Sequence, residues 1–332
     1  MNRPTLEAVA ARAGVGRGTV SRVINGSPNV SEKARDAVQR AIKELGYVPN
    51  RAARALVTRR TDTVALVVSE SELRVFDEPY FAGTIRGIGS ALAETGLQLI
   101  LAMAQSREEH QRLQHYLTGQ HVDGVLLLSL HGADPLPGRL EAMGVPTVLG
   151  GRPVGLDPYS YVDMDNRAGA RQAVKHLLGL GRKRIATIAG PQDMSVGVDR
   201  LAGYRDALLT SGVQELVAFG DFSEETGVAA TTELLAAQPR LDAVFAASDP
   251  MALGAMRVLR AAGRAIPDDV AVIGFDDSKA ALLSDPPLTT VHQPTEQMGR
   301  QMAQLLVARI NGEELRQPVV ILDTHLVRRE SA

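Results

Sequence analysis

Residues 5 to 26 read Thr5-Leu-Glu-Ala-Val-Ala-Ala-Arg-Ala-Gly-Val-Gly-Arg-Gly-Thr-Val-Ser-Arg-Val-Ile-Asn-Gly26. In the first half, apolar side chains recur at the spacing of one helical face, namely Leu6, Val9, Ala10 and Ala13. Thr5 is a candidate N-cap, and Gly14 can adopt the left-handed conformation that ends many helices. The stretch therefore predicts two short helices joined by a turn that contains glycine, which is a helix-turn-helix.

The second of these helices has one apolar and one polar face. Its buried residues are predicted to be Val20, Val23 and Ile24, and its outward residues Arg17, Gly18, Ser21, Arg22 and Asn25. In a helix-turn-helix the second helix enters the DNA major groove, where arginine can bind guanine through two hydrogen bonds. A third helix is predicted from the N-cap Ser31 to Gly46. The alternative is a small solvated helical bundle with incidental arginines.

Charge separates this segment from the rest of the chain. The first 60 residues hold twelve Lys/Arg and four Asp/Glu, whereas the whole chain of 332 residues has a net charge of −2. A basic head is therefore joined to an acidic body, which favours a nucleic-acid-binding segment attached to a domain with another task.

Composition limits the class of protein. The chain is long enough for two or three domains, and 45% apolar with 22% charged residues is typical of a globular protein. No apolar run approaches the roughly 18 residues of a membrane span, and no apolar segment follows the first residues as in a secretory signal. With no cysteine, thiolate metal sites are excluded. We expect a soluble cytoplasmic protein with no membrane association.

From Thr61 onward, short apolar runs alternate with helix-length amphipathic segments. This alternation predicts parallel strands connected by crossover helices. The predicted strands are Thr63–Val68, Leu97–Met103, Gly124–Leu128, Thr147–Leu149, Arg184–Ala189, Val217–Phe219, Ala243–Ala246 and Val270–Gly274. The segment Val122–Ser129 resembles Leu241–Ser248, so the body is predicted to be α/β with two similar lobes and a cleft between them.

Open α/β sheets bind ligands at the carboxyl ends of their strands. The residues that follow the predicted strands are Ser69-Glu-Ser71, Gly150-Gly-Arg152, Pro191-Gln-Asp193, Asp221-Phe222, Ser248-Asp249 and Asp276-Asp277. Carboxylates, hydroxyls, an arginine and an aromatic ring suit a polyol ligand. Other roles stay open: Asp276 and Asp277 as caps, Asp249 as the N-cap of a helix from Met251, Arg200 in a surface ion pair, and Phe222 in the core.

Two segments carry a resemblance to a known family. Thr19-Val-Ser-Arg-Val-Ile-Asn25 and Tyr47-Val-Pro-Asn-Arg-Ala-Ala-Arg-Ala-Leu56 resemble the LacI/GalR family of bacterial transcription repressors, and the likeness covers nearly the whole chain. It implies a helix-turn-helix headpiece (1–48), a hinge (49–60) and a periplasmic-binding-protein-like effector domain (61–332) with two parallel-sheet, Rossmann-like lobes. One lobe would hold about 61–161 with 293–321, and the other about 162–292 with 322–332.

The resemblance implies a set of DNA-binding residues: Thr5, Arg17, Gly18, Thr19, Ser21, Arg22, Asn25, Ser31, Asn50, Ala53, Arg54 and Leu56. Leu56 would be the wedge of a hinge helix that folds on the operator, although a bare linker with an exposed leucine is the alternative. Gly16 stands where the family usually has serine or threonine, and Gly18 stands where a base-reading side chain is common. Base reading is therefore expected to depend on Arg17 and Arg22.

The resemblance also implies roles in effector binding. Arg200 would clamp the effector, Asp276 would accept from its hydroxyls, and Phe222 would stack on it. The full predicted set is Glu70, Ser71, Tyr80, Phe81, Arg152, Asp193, Arg200, Phe222, Ser248, Asp276 and Gln293. A longer loop at 69–78 and the sequence Gly150-Gly-Arg152 predict room for more than a monosaccharide, and they resemble the cellobiose-responsive repressors of the family.

The sequence therefore predicts a repressor of carbohydrate-utilisation genes. A homodimer would bind a near-palindromic operator and be released by a small sugar such as the disaccharide cellobiose. The alternatives are a regulator that binds DNA more tightly with ligand, a sugar-binding transport protein, and a sugar-metabolising enzyme. No catalytic, phosphate-binding or nucleotide-binding motif is visible. We expect no enzyme activity, no cofactor and no metal.

Overall fold

The computed structural model describes residues 4–24, 26–48, 60–104, 107–154 and 160–332. The chain divides into two compact units, Met1–Thr61 and Asp62–Ala332, which are called the headpiece and the body below.

The headpiece contains the helices α1 (Leu6–Ala13), α2 (Arg17–Ile24) and α3 (Glu32–Leu45). The Thr5 hydroxyl accepts from the Ala8 N–H at 3.3 Å, and Gly14 ends α1 in the left-handed conformation, as the sequence predicts. Ser31 caps α3 in the same way, and Gly46 ends that helix. Val9, Val20 and Val38 are completely buried between the three helices, so every helix contributes to the core of the headpiece.

Ten helices are described in the body: α4 (Glu72–Asp77), α5 (Pro79–Leu92), α6 (Arg107–Thr118), α7 (Leu136–Ala142), α8 (Asn166–Gly179), α9 (Ser195–Leu208), α10 (Glu224–Ala237), α11 (Asp249–Ala261), α12 (Lys279–Leu283) and α13 (Thr295–Ile310). The described strands are β1 (Thr63–Val68), β2 (Gln98–Met103), β3 (Gly124–Leu128), β4 (Thr147–Gly150), β5 (Ser160–Met164), β6 (Ile185–Ala189), β7 (Val217–Phe219), β8 (Ala243–Ala246), β9 (Ala271–Ile273), β10 (Thr290–His292), β11 (Val319–Leu322) and β12 (His325–Val327).

The strands form two parallel sheets and one ribbon. The first lobe contains the sheet β11-β5-β4-β3-β1-β2, and the second contains β7-β6-β8-β9. In the first sheet Leu66 pairs with both Leu101 and Leu126, and these central strands are buried on both faces by helices. The predicted α/β fold with two parallel-sheet lobes is confirmed.

The eight strands predicted from apolar runs are all present, and four further strands lie outside that set. β5 carries Asp163, which interrupts its apolar run, and β11 lies at an edge with alternate residues exposed. β10 and β12 form the antiparallel ribbon and have three residues each. β5, β10 and β12 lack the apolar run by which buried parallel strands are predicted, whereas β11 consists of four apolar residues, Val-Val-Ile-Leu.

The chain passes between the lobes at three places. These are the connections from β5 to α8, from β10 to α13, and from β11 to β12. The Asp165 N–H donates to the Leu322 carbonyl at 2.9 Å, so two of the connections are hydrogen-bonded side by side. The carboxyl ends of the main strands of both sheets consequently border one cleft.

Candidate functional site

A cavity between the lobes contains about 960 Å³ of space that protein atoms do not fill, part of it open to solvent. Eight of the predicted effector-binding residues line this cavity: Tyr80, Phe81, Arg152, Arg200, Phe222, Ser248, Asp276 and Gln293.

Arg200 forms the inner end of the cavity. It extends from α9, is only 3% exposed, and its Nε donates to Asn166 Oδ1 at 3.0 Å. Nη1 donates to the Ala247 carbonyl at 2.6 Å and lies 3.6 Å from Asp276 Oδ1. The guanidinium carbon lies 3.7 Å from the centroid of Phe275. These contacts fix the guanidinium in place, and its charge is paired inside the protein rather than at the surface.

Asp276 follows β9 and accepts hydrogen bonds from two directions. Gln293 Nε2 donates to its Oδ1, and the Asp249 N–H donates to its Oδ2 at 3.3 Å. Burial raises the pKa of Asp276, and the charge of Arg200 opposes that shift. Its backbone φ is +126°, and that of Phe222 is +75°. Residues with such strained backbone conformations often occur at ligand sites. The φ angles of Asp276 and Phe222 therefore favour a role in ligand binding for both residues.

Asp249 and Ser248 have different roles from those considered in the sequence analysis. Ser248, not Asp249, is the N-cap of α11, because its hydroxyl accepts from the Met251 N–H at 3.3 Å. The Asp249 side chain is completely buried and accepts from the Ser278 N–H at 2.7 Å and from the Thr290 hydroxyl. It therefore joins α11 to the chain on either side of α12.

The first lobe provides the opposite wall. The Tyr80 and Phe81 rings meet edge to face with centroids 5.2 Å apart, and Tyr80 Oη lies 3.6 Å from Met298 Sδ. Asp163 on β5 accepts from the Arg152 N–H at 3.1 Å and from Asn166 Nδ2 at 3.2 Å. Burial raises the pKa of Asp163. This wall combines apolar rings with buried polar groups.

Phe222 belongs to both the core and the cavity. It is 7% exposed and packs with Met194 and other apolar residues of the second lobe. The guanidinium carbons of Arg74 and Arg200 lie 5.5 and 5.8 Å from its ring centroid. A place in the core is therefore compatible with the predicted stacking of Phe222 on the effector.

The headpiece presents the polar face of α2 to solvent. Arg17, Gly18 and Arg22 are exposed, and Arg17 Nη1 lies 3.1 Å from Glu7 Oε1 in an exposed ion pair of the kind that adds little stability. Thr19 and Ser21 are half-buried, and Ser31 is exposed. The predicted DNA-binding residues Asn25, Asn50, Ala53, Arg54 and Leu56, and most of the predicted hinge (49–60), lie outside the described residues.

Comparison with known proteins identifies the family. A model of the lacI family of bacterial regulatory proteins matches residues 5–50, and a model of the periplasmic binding protein-like domain matches 174–332. The HTH-type transcriptional regulator CelR of Thermobifida fusca is 62% identical over 99% of this chain and 98% of that protein. This chain belongs to the LacI family. It is a DNA-binding transcriptional repressor of the kind that a small sugar releases from its operator.

Solved structures of LacI-family proteins agree with this assignment. One described as a transcriptional regulator CelR–cellobiose complex is 60% identical, with a TM-score of 0.80, and covers 99% of this chain and all of that one. The lac repressor dimer bound to operator and the anti-inducer ONPF is 28% identical, with a TM-score of 0.89 and 99% of each chain covered. The ribose operon repressor of Escherichia coli is 35% identical over 99% of both chains.

Three predicted effector-binding residues of this LacI-family repressor do not line the cavity. Ser71 is the N-cap of α4, where its hydroxyl accepts from the Arg74 N–H at 3.2 Å. Glu70 is buried and pairs with Arg74 and His131, and Asp193 pairs with His131. All three residues follow strands. The Glu70 and Asp193 side chains nevertheless lie at the contact between the lobes, where both pair with His131.

Several residues that line the cavity were not predicted from the sequence. The polar ones include Arg74, Glu78, Asp163 and Asn166. A polar residue inside an apolar run, as Asp163 is in β5, is the signal that could have found one of them.

Burial raises the pKa of Glu78 to about 7, and the charge of Arg74 opposes the shift. The segment 69–78, treated as a loop in the sequence analysis, contains the helix α4.

The lobes of the repressor touch along one side of the cleft. Arg152 Nη2 lies 2.8 Å from both carboxylate oxygens of Asp199 on α9. His131 Nδ1 is 2.8 Å from Asp193 Oδ2, and the Gly132 N–H donates to the Asp193 carbonyl at 2.7 Å. Hydrogen bonds with Glu70, and then with Asp193, raise the pKa of His131 to about 9. The imidazolium is thus held between a carboxylate of each lobe.

Within the described residues, no group of three or more His, Asp or Glu is arranged to hold a metal ion. In that same part of the chain, no helix is long and apolar enough to cross a membrane.

Proposed function

We propose that this repressor controls carbohydrate-utilisation genes and that a disaccharide such as cellobiose is its releasing effector. A homodimer would bind a near-palindromic operator through two headpieces, since a two-fold protein binds a two-fold site. The observation that carries the proposal is the polar and aromatic cavity between the lobes, in a chain 62% identical to CelR. The lac repressor dimer on its operator supports the assembly.

The chemistry of the cavity suits a sugar. Sugar hydroxyls both donate and accept hydrogen bonds, and the cavity offers guanidinium donors at Arg200 and Arg152 beside carboxylate acceptors at Asp276 and Asp163. Tyr80 and the other aromatic side chains offer flat apolar faces to the C–H groups of a pyranose ring. We propose that these residues bind the effector.

Release from DNA requires only that the sugar prefer one arrangement of the body over another. A ligand shifts an equilibrium by its difference in affinity for the two states, and DNA binding changes by the same coupling free energy. Because Arg200 and Tyr80 belong to different lobes, a sugar that contacts both would favour the arrangement in which the lobes are closed. We propose that this arrangement has the lower operator affinity.

The alternatives have less support. A transport protein has no use for a headpiece that matches the lacI family model. The relatives are transcriptional regulators, and the sequence contains no recognisable catalytic motif, so we propose that the protein is not an enzyme. Because operator DNA is in the cytoplasm, we propose a cytoplasmic location. A regulator that binds DNA more tightly with ligand would differ from the proposed repressor only in the sign of the coupling between effector binding and operator binding.

Operator titration tests the proposal. Fluorescence anisotropy of the full-length protein on labelled operator DNA is measured at one salt concentration, alone and with saturating cellobiose, maltose or glucose. We expect cellobiose to weaken operator binding by about 5- to 150-fold, the usual range of allosteric coupling. Tighter binding would reverse the sign, and unchanged affinity with every sugar would contradict sugar control.

A further inference from the structure

The short helix α4 places one cationic side chain in the cavity. Val75 on this helix is buried in the core of the first lobe and anchors the helix, whereas the neighbouring Arg74 lines the cavity. This arginine lies in the segment that made the loop after β1 appear unusually long. No role was assigned to it from the sequence.

Two carboxylates hold the Arg74 guanidinium. Glu78 Oε1 accepts from Nε at 2.6 Å, and Glu70 Oε2 accepts from Nη1 at 3.0 Å. A guanidinium has five N–H donors, so these bonds use only part of its capacity. Because the carboxylates fix the side chain before any ligand arrives, little conformational entropy is lost when it donates to one.

Arg74 and Arg200 approach the same aromatic ring from different lobes. Their guanidinium carbons lie 5.5 and 5.8 Å from the centroid of Phe222. The side chain of Arg200 is 4% exposed and that of Arg74 is 18% exposed, so Arg200 is at the inner end and Arg74 is nearer the solvent. The cavity therefore has an inner and an outer cationic group near one aromatic ring.

We infer that Arg74 recognises the outer sugar ring of a disaccharide effector, an inference that rests on the proposed function. The inner ring binds at Arg200 and Asp276, and the outer ring reaches Arg74, whose remaining N–H groups donate to its hydroxyls. In this assignment a monosaccharide occupies only the inner position and gains no hydrogen bond from Arg74. Arg74 thus makes the site selective for disaccharides.

The same arginine connects the cavity to the contact between the lobes. Glu70, which holds Arg74, also accepts from His131 at 3.2 Å, and His131 pairs with Asp193 of the second lobe. A disaccharide bound to Arg74 would stabilise this chain of charges, whereas a monosaccharide would not touch it. Selective binding and lobe closure therefore depend on the same side chain.

Calorimetric titration of the full-length protein with cellobiose, maltose and glucose tests this role. Arg74→Gln removes the charge, and Arg74→Lys keeps the charge but loses the planar fork. Arg86→Gln is the matched control, because Arg86 is an exposed arginine whose ion pair with Glu296 is 4.0 Å long. Unfolding of each variant without ligand shows whether it is folded.

We expect Arg74→Gln to weaken binding of the preferred disaccharide by about 10- to 100-fold and to leave glucose binding unchanged, with a smaller loss for Arg74→Lys. If the wild type binds a disaccharide and both variants bind it equally well, or if they lose glucose to the same extent, the role of Arg74 is wrong while the proposed function stands. If the wild type binds no disaccharide, both are wrong.

Discussion

Asp276 and Asp249 are neighbouring carboxyl groups near Arg200, joined by the Asp249 N–H. Burial, and then the charge of Asp276, raises the pKa of Asp249, whose oxygens accept from Ser278 and Thr290. Asp276 lies 3.6 Å from Arg200, whose charge favours its ionised form. The inner end of the cavity therefore contains one guanidinium and one carboxylate, which can donate to and accept from neighbouring sugar hydroxyls.

Neutralising the inner carboxylate tests this assignment. Asp276→Asn keeps the size of the side chain but removes the charged acceptor, so we expect sugar binding to weaken by about 1.5–3 kcal/mol. Titration calorimetry measures the loss. Asp285→Asn is the control, because the Asp285 side chain is fully exposed. An unchanged sugar affinity in Asp276→Asn would remove Asp276 from the binding site.

At the scale of elements, α5 and α13 pack closely enough for their backbones to meet. A Cβ atom at Gly87 of α5 would collide with the Glu296 carbonyl oxygen, and one at Gly299 of α13 would collide with the Thr84 carbonyl oxygen. Glycine therefore occupies both sides of the contact for lack of space. The contact fixes α13 against α5. Helix α13 follows the crossing from β10, and α5 carries Tyr80 and Phe81.

Adding a methyl group at this contact should destabilise the body. Because the obstructing atom in Gly87→Ala is backbone, we expect the free energy of unfolding to fall by about 1–3 kcal/mol, as in other overpacked cores. Gly89→Ala on the same helix meets no atom within 4 Å and should raise it by up to about 1 kcal/mol through helix propensity. Urea unfolding at one protein concentration measures both variants, and equal effects would contradict the packing argument.

At the scale of the whole body, charged pairs join the two lobes on one side of the cleft. His131 lies between Glu70 and Asp193, and Arg152 forms a two-pronged pair with Asp199. These contacts are partly exposed, so each contributes modest stability while defining how the lobes meet. Such polar pairs suit the proposed closing of the lobes around the effector.

The imidazole contact makes this closure depend on pH. The folded-state pKa of His131 is raised from 6.5 to about 9, so its stabilising effect is complete below pH 6.5 and is lost as pH rises through 9. We expect the stability difference between wild type and His131→Gln to shrink over that range. Urea unfolding from about pH 6 to about pH 10 measures it.

His115→Gln is the control for this pH series, because His115 is exposed on α6. A difference for His131→Gln that does not change with pH, or that changes no more than the difference for His115→Gln, would show that the protonated imidazole does not hold the lobes together.

The sequence by itself determined the headpiece helices and eight of the twelve described strands of the body, because helix caps, apolar periodicity and buried strands depend on residues close together in the chain. Thr5, Gly14 and the run Gly124–Leu128 all lie where such patterns predicted. The tertiary structure alone decided which polar residues share the cavity. Glu70 and Asp193 follow strands yet lie at the lobe junction, whereas Arg74 enters the cavity. Whether a residue lines the cavity depends on the direction of its side chain and on how the two lobes meet. No local sequence pattern encodes either of these.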